Sequence, residues 1–133
     1  MAHAERAWQP VTLGDDYPPP AGAYSPAVRA GELLFVSGQV PRDPRTGATV
    51  GGDVVAQSRR VLDNLRLVLE AAGASLDDVV SVTVYLADVA DWGTFNDLYR
   101  ATFRPPYPAR TVVGAQLRGV LVEVSAVAYV GRG

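Results

Sequence analysis

"GVLVEVSAVAYV", residues 119–130, decides how this chain folds. Valine, leucine and alanine fill nearly every position, as in a strand covered on both faces. Glu123 breaks the run, and a carboxylate is seldom buried without a partner because desolvating its charged form is costly. Upstream, "VVSVTVYLADV" (79–89) sets Val80, Val82, Val84 and Leu86 against Ser81, Thr83 and Tyr85, the alternation of a second strand. "ELLFVSGQV" (32–40) is an apolar run ending at Ser37-Gly38 and predicts a third. A fourth is expected over 110–116, joined to the last strand (120–130) by the short "LRG" region.

Two helices separate these strands. Asp53 is placed to cap the first, and Val54, Val61, Leu62, Leu65, Val68, Leu69 and Ala72 recur at helical spacing before Gly73 supplies a stop. Asp91 is expected to cap the second, "WGTFNDLYRATF" (92–103), whose stripe is Trp92, Phe95, Leu98/Tyr99 and Phe103. "PRDPRTGATVGG" (41–52) reads as a loop, and residues 1–23, with three consecutive prolines, as an extended arm preceding one domain over 24–133. The order predicts an α+β fold in which both helices pack on one face of a mixed sheet. Two helices cover only one side, so a homo-oligomer is expected to bury the other.

Composition removes several chemistries. The 133 residues carry a formal charge of −2, with 12 basic residues scattered along the chain, which argues against a nucleic-acid or anionic-membrane surface. There is no cysteine and no lysine, and the single histidine, His3, stands in the arm. Thiolate nucleophiles, cysteine metal sites, lysine Schiff bases, histidine metal clusters and Ser-His-Asp triads are therefore excluded. No apolar run reaches the roughly 20 residues of a membrane span and the start does not resemble a secretory signal, so a cytoplasmic location is expected.

Arg110 is the second anomaly. It follows "PYP" and precedes Thr111-Val112-Val113, a permanent cation at the mouth of a strand. A hairpin between the last two strands would bring it near Glu123. One reading is a structural ion pair. The other is a pocket in which Arg110 grips an anion with two prongs and Glu123 handles a proton or a water. Ser37-Gly38 offers a hydroxyl and a backbone open to close approach, Asn96 lies on the second helix beside Phe95, and Tyr24 begins the domain. Each of these three signals is weak alone.

Together they are specific. "YSPAVRAGELLFVSGQVPRDPRTG" (24–47), "VLDNLRLVLEAAGASLDDVVSVTVYLADVADWGTFNDLY" (61–99) and "PYPARTVV…VEVSAVA" (106–128) resemble the RidA family, also called YjgF or endoribonuclease L-PSP, from about Tyr24 to Val130. The resemblance implies a chorismate-mutase-like subunit in a homotrimer with interface pockets. It also implies cofactor-independent hydrolysis of reactive enamines and imines, such as 2-aminoacrylate, to 2-keto acids and ammonium. Carried over by position, Arg110 binds the substrate carboxylate and Glu123 orients or activates water. Tyr24, Ser37, Gly38 and Asn96 line the same pocket. The chain departs from the pattern at Val112, at Ser125 and in a shortened connection over 116–122, which bears on substrate range. Alternatives are a non-catalytic carboxylate-binding trimer and a pathway-specific deaminase of a larger enamine. Ribonuclease activity is disfavoured by the charge and by the lack of a basic stripe.

Overall fold

Asp53 starts the first helix as its side chain dictates: Oδ1 accepts the Ala56 N–H at 2.9 Å, satisfying a donor left orphaned at the helix start. The computed structural model describes residues 5–131 and so leaves out His3. In it the helix α1 runs Val54–Ala71, with Gly73 beyond it at φ +82°, where a glycine avoids the Cβ clash of left-handed backbone. Its stripe is buried, and Val61, Leu62, Leu65 and Leu69 are at most 2 % exposed. Each such aliphatic side chain contributes about 1.5–3 kcal/mol by leaving water. The helix also buries polar groups: the Ser58 hydroxyl has no hydrogen-bond partner, while Asn64 and Gln57 have partners that offset their desolvation. Asn64 Nδ2 donates to the Val40 and Arg42 carbonyls, while Gln57 bridges the Gly52 carbonyl and the Leu121 N–H.

The six strands are β1 (Gln9–Val11), β2 (Ala27–Ala30), β3 (Leu33–Gln39), β4 (Val79–Leu86), β5 (Ala109–Gly114) and β6 (Val122–Tyr129). The second helix, α2 (Trp92–Thr102), links β4 to β5. The strands form one mixed sheet in the order β1-β2-β3-β6-β4-β5, parallel only between β4 and β5. The α+β class and the two helices on one face are as expected. Sequence reading did not separate β2 from its surroundings or assign β1. That short strand lies inside the proline-rich segment and pairs with β2, so part of the extended arm is an edge strand.

The expected hairpin between the last two strands does not form. β6 lies between β3 and β4, and β5 lies on the far side of β4. The connection crosses the end of β4, where Ala115 N–H donates to the Leu86 carbonyl and Ala87 N–H to the Leu121 carbonyl. Parallel pairing of β4 and β5 follows from the helical crossover α2, which returns the chain to the same end of the sheet.

Two smaller expectations change. Asp91 occupies the N-cap position of α2 without a side-chain cap bond, and Asp88 instead caps the preceding short turn by accepting from Ala90 N–H. Val80 does not share the face of Val82, Val84 and Leu86. A bulge at the start of β4 leaves it 46 % exposed, and Val79 is buried in its place.

Alternation along β6 explains its composition. Val122, Val124, Ala126 and Ala128 are buried beneath the helices, while Glu123, Ser125, Val127 and Tyr129 point to the opposite face. There they are joined by Leu33, Phe35 and Val113, all exposed in the single chain. Among the described residues, no helix packs on this face. No helix among the described residues is long and apolar enough to cross a membrane.

Candidate functional site

The structure gathers the six expected residues into two clusters, one on each side of the sheet. Arg110 pairs in register with Val82, a core residue of the helix-covered face, and so projects toward α2. Its Nη1 donates to Asn96 Oδ1 at 2.9 Å. The guanidinium carbon stands 4.6 Å from the centre of the Tyr99 ring and 5.3 Å from that of Trp92. Trp92, Asn96 and Tyr99 follow one another at i, i+4 and i+7, so a single stripe of α2 presents two aromatic faces and an amide oxygen to one cation. No carboxylate among the described residues forms an ion pair with Arg110. The group is held, and its remaining donors lack an acidic partner.

Tyr99 is 4 % exposed, and its hydroxyl has no hydrogen-bond partner. Burial pushes the phenol up to about 12, against a smaller opposing pull from the Arg110 charge. Tyr99 is therefore neutral beneath Arg110 at ordinary pH. Trp92 and Tyr99 were expected only as core stripe; their spacing with Asn96 is the signal that marks them as part of this cluster.

The second cluster is built on β3 and β6. Glu123 lies on the open face, and nothing among the described residues pairs with its carboxylate. Its Oε2 lies only 2.1 Å from where a Cβ on Gly38 would stand. Gly38 has ordinary negative-φ backbone, so glycine is required here for space. Beside it, Ser37 Oγ–H donates to the Ser25 carbonyl at 2.6 Å and Ser37 N–H to the Pro26 carbonyl at 3.0 Å. These bonds tie down the segment carrying Tyr24, whose side chain is 49 % exposed.

The two clusters do not meet within one chain. Glu123 pairs with Tyr85 and Arg110 with Val82, three residues apart along β4 and on opposite faces. Two strand spacings and three residues put their backbones about 14 Å apart. Val112 sits on the Arg110 side, partly buried against the core, and Ser125 on the Glu123 side.

Residues 15–130 match the family model described as Endoribonuclease L-PSP. A RutC family protein of Pyrococcus horikoshii is 46 % identical over 121 residues, covering 90 % of this chain and 96 % of that protein. The 2-iminobutanoate/2-iminopropanoate deaminase of mouse is 42 % identical over 116 residues, covering 86 % of each. Among solved structures, RidA from the Antarctic bacterium Psychrobacter sp. PAMC 21119 superposes with a TM-score of 0.83 at 36 % identity, covering 91 % of this chain and 99 % of that one. With the match spanning nearly the whole sheet and both helices, the chain belongs to the endoribonuclease L-PSP family, in which the RidA and RutC proteins fall.

Proposed function

We propose that this protein hydrolyses reactive imines and enamines bearing a carboxylate, of the 2-aminoacrylate type, to 2-keto acids and ammonium. The observation that carries this reading is Arg110: fixed by Asn96, stacked on Tyr99 and Trp92, and without a carboxylate partner among the described residues. A guanidinium held in one orientation offers a planar fork that matches a carboxylate in two-pronged contact. The substrate class agrees with the name of the mouse relative.

The reaction asks little of the protein. An enamine protonated at carbon becomes an iminium ion, whose carbon is already electrophilic. Water adds to that carbon as Glu123 takes its proton, giving a tetrahedral aminoalcohol. Return of the proton to nitrogen lets the C–N bond break as the hydroxyl becomes the keto carbonyl, and the proton that hydroxyl gives up ends on the departing ammonia as ammonium. One well-placed acid–base group typically contributes ~10²–10⁴-fold, and fixing the substrate supplies orientation. Among the described residues, Glu123 has no ion pair or hydrogen bond that would hold it from that role.

Arg110 and Glu123 lie too far apart to share a substrate within one chain, so each site takes Arg110 from one subunit and Glu123 from its neighbour. A homotrimer closes this arrangement through the apolar open face, with Phe35, Val127 and Val113 buried between subunits. The test generates 2-aminoacrylate in situ with a pyridoxal-phosphate dehydratase and follows its decay. Faster decay with the native protein and none above background with Arg110→Ala supports the deaminase. Background decay with both leaves a carboxylate-binding protein.

A further inference from the structure

Arg110, Val112 and Gly114 stand at alternate positions of β5 and so share the face that α2 covers. The chain entering α2 runs back along this face and touches the strand at two points, as a clasp. Trp92 lies over Arg110, with 5.3 Å between its ring centre and the guanidinium carbon. Three residues earlier, the short helical turn Val89–Asp91 sets a methyl of Val89 on Gly114: its Cγ1 lies 2.7 Å from where a Cβ on Gly114 would stand. Gly114 is not among the glycines with positive φ, so glycine is required here for space. Val89 cannot swing aside cheaply, because a β-branched side chain has few allowed χ1 rotamers. The turn is itself tied down, since Asp88 Oδ1 accepts the Ala90 N–H at 2.9 Å and the Asp88 carbonyl accepts the Asp91 N–H at 3.0 Å. Next to Gly114, Ala115 N–H donates to the Leu86 carbonyl at 2.9 Å, which fixes the end of the strand. The contact of Val89 with Gly114 therefore sets where the Trp92 ring stands over Arg110.

We infer that Val89 and Gly114 are positioning residues of the carboxylate site, acting through Trp92 on the orientation of the Arg110 guanidinium. The inference rests on the deaminase reading above, in which Arg110 grips the substrate. With Nη1 engaged by Asn96, the Nε–Nη2 edge keeps its donors without a partner among the described residues. A guanidinium edge of this kind takes a carboxylate in two-pronged contact only while the group holds one orientation. Tyr99 supplies a buried ring beside the cation, and Trp92, 46 % exposed, supplies the ring on the solvent side. A lifted turn carries the Trp92 ring away, and the guanidinium is then free to rotate. Val89 is 64 % exposed, so its contact adds little to the core, and its effect is to hold the residues that follow it.

The test uses a Trp8→Phe background, which leaves Trp92 as the one indole. Gly114→Ala forces Val89 off its seat. Val89→Ala empties the seat from the other side, is expected to act in the same direction, and serves if the first variant does not fold. Three quantities are read: acrylamide quenching of Trp92 emission, the Kd of propionate from broadening of its proton lines, and KM and kcat for the imine made in situ by the dehydratase. In Gly114→Ala quenching is expected to rise, and propionate Kd and imine KM to rise together by about three- to tenfold, the scale of one weakened cation–π contact. kcat stays within about twofold of native, the mark of lost binding and not of lost chemistry. Gly114→Ala with Val89→Ala gives back the space that the new methyl takes, and is expected to restore all three quantities. Unchanged quenching, unchanged propionate affinity, a fall in kcat with KM unmoved, or a double variant no better than Gly114→Ala overturns the clasp and leaves the deaminase standing. Quenching and propionate binding need no turnover, so a native protein that binds propionate and leaves the imine untouched overturns the deaminase reading alone. A native protein that does neither overturns both.

Discussion

Arg110 and Glu123 project from opposite faces of one sheet, on the two strands that flank β4, with their register positions three residues apart. Neither has a charged partner among the described residues. A buried or half-buried charge left in this state is costly unless a ligand or a neighbouring subunit completes it. The predictions below test what completes them.

Gly38→Ala places a Cβ where the Glu123 carboxylate now lies, so the carboxylate swings away while the fold stays intact. Catalysis is expected to fall by about 10²-fold, the lower end of what a positioned acid–base group supplies. Thermal melting is expected to stay within a few degrees of the native protein, because the group displaced is the end of a flexible side chain. Imine hydrolysis measured beside a melting curve decides this; an unaffected rate would remove Glu123 from the chemistry.

Arg110→Lys keeps the charge and loses the fork, the Asn96 contact and the stacking. A charge-assisted hydrogen bond is worth about 1.5–3 kcal/mol, so substrate affinity should weaken by about 10–100-fold. Steady-state kinetics with increasing imine supply checks it, and native-like behaviour of the lysine variant would mean that a point charge suffices.

The Tyr99 phenol titrates at about 12 in the folded protein, above its ordinary value of 10.0. The sign follows directly. The folded state retains this proton longer than the unfolded chain, so its contribution to stability is complete below pH 10 and is lost as pH rises through about 12. Tyrosinate absorbance should show one of the six tyrosines ionising last. Tyr99→Phe should abolish that late step and keep the ring face beneath Arg110, with activity little changed.

Phe35 is 43 % exposed on the open face and pairs in register with Val127. Phe35→Asp puts a charge where a subunit interface is proposed. Light scattering should show dissociation to monomers, with activity lost alongside. An active monomer would contradict a site shared between subunits.

Much of this was readable from the chain because it is local. The cap at Asp53, the stripe from Val61 to Leu69 and the stop at Gly73 depend on neighbours within one or two turns. The excess of apolar residues over 119–130 likewise announced a sheet whose second face seeks a cover. The order of strands was not readable, because pairing is decided between distant segments. β5 and β6 are neighbours in sequence, yet β4 lies between them, since the α2 crossover delivers β5 parallel to β4. For the same reason, Arg110 and Glu123 were expected side by side and emerged on opposite faces. The aromatic support of Arg110 was hidden in plain residues: Trp92 and Tyr99 serve the helix stripe and the cation together.

Mixing two dead variants tests the central claim most directly. Arg110→Ala and Glu123→Ala subunits are unfolded and refolded together in equal amounts, and imine hydrolysis is measured. If each site draws Arg110 from one subunit and Glu123 from the next, random assembly restores both residues at about a quarter of the sites, with activity to match. Activity no higher than that of either variant alone, in assemblies shown to be mixed, would contradict a site built between subunits.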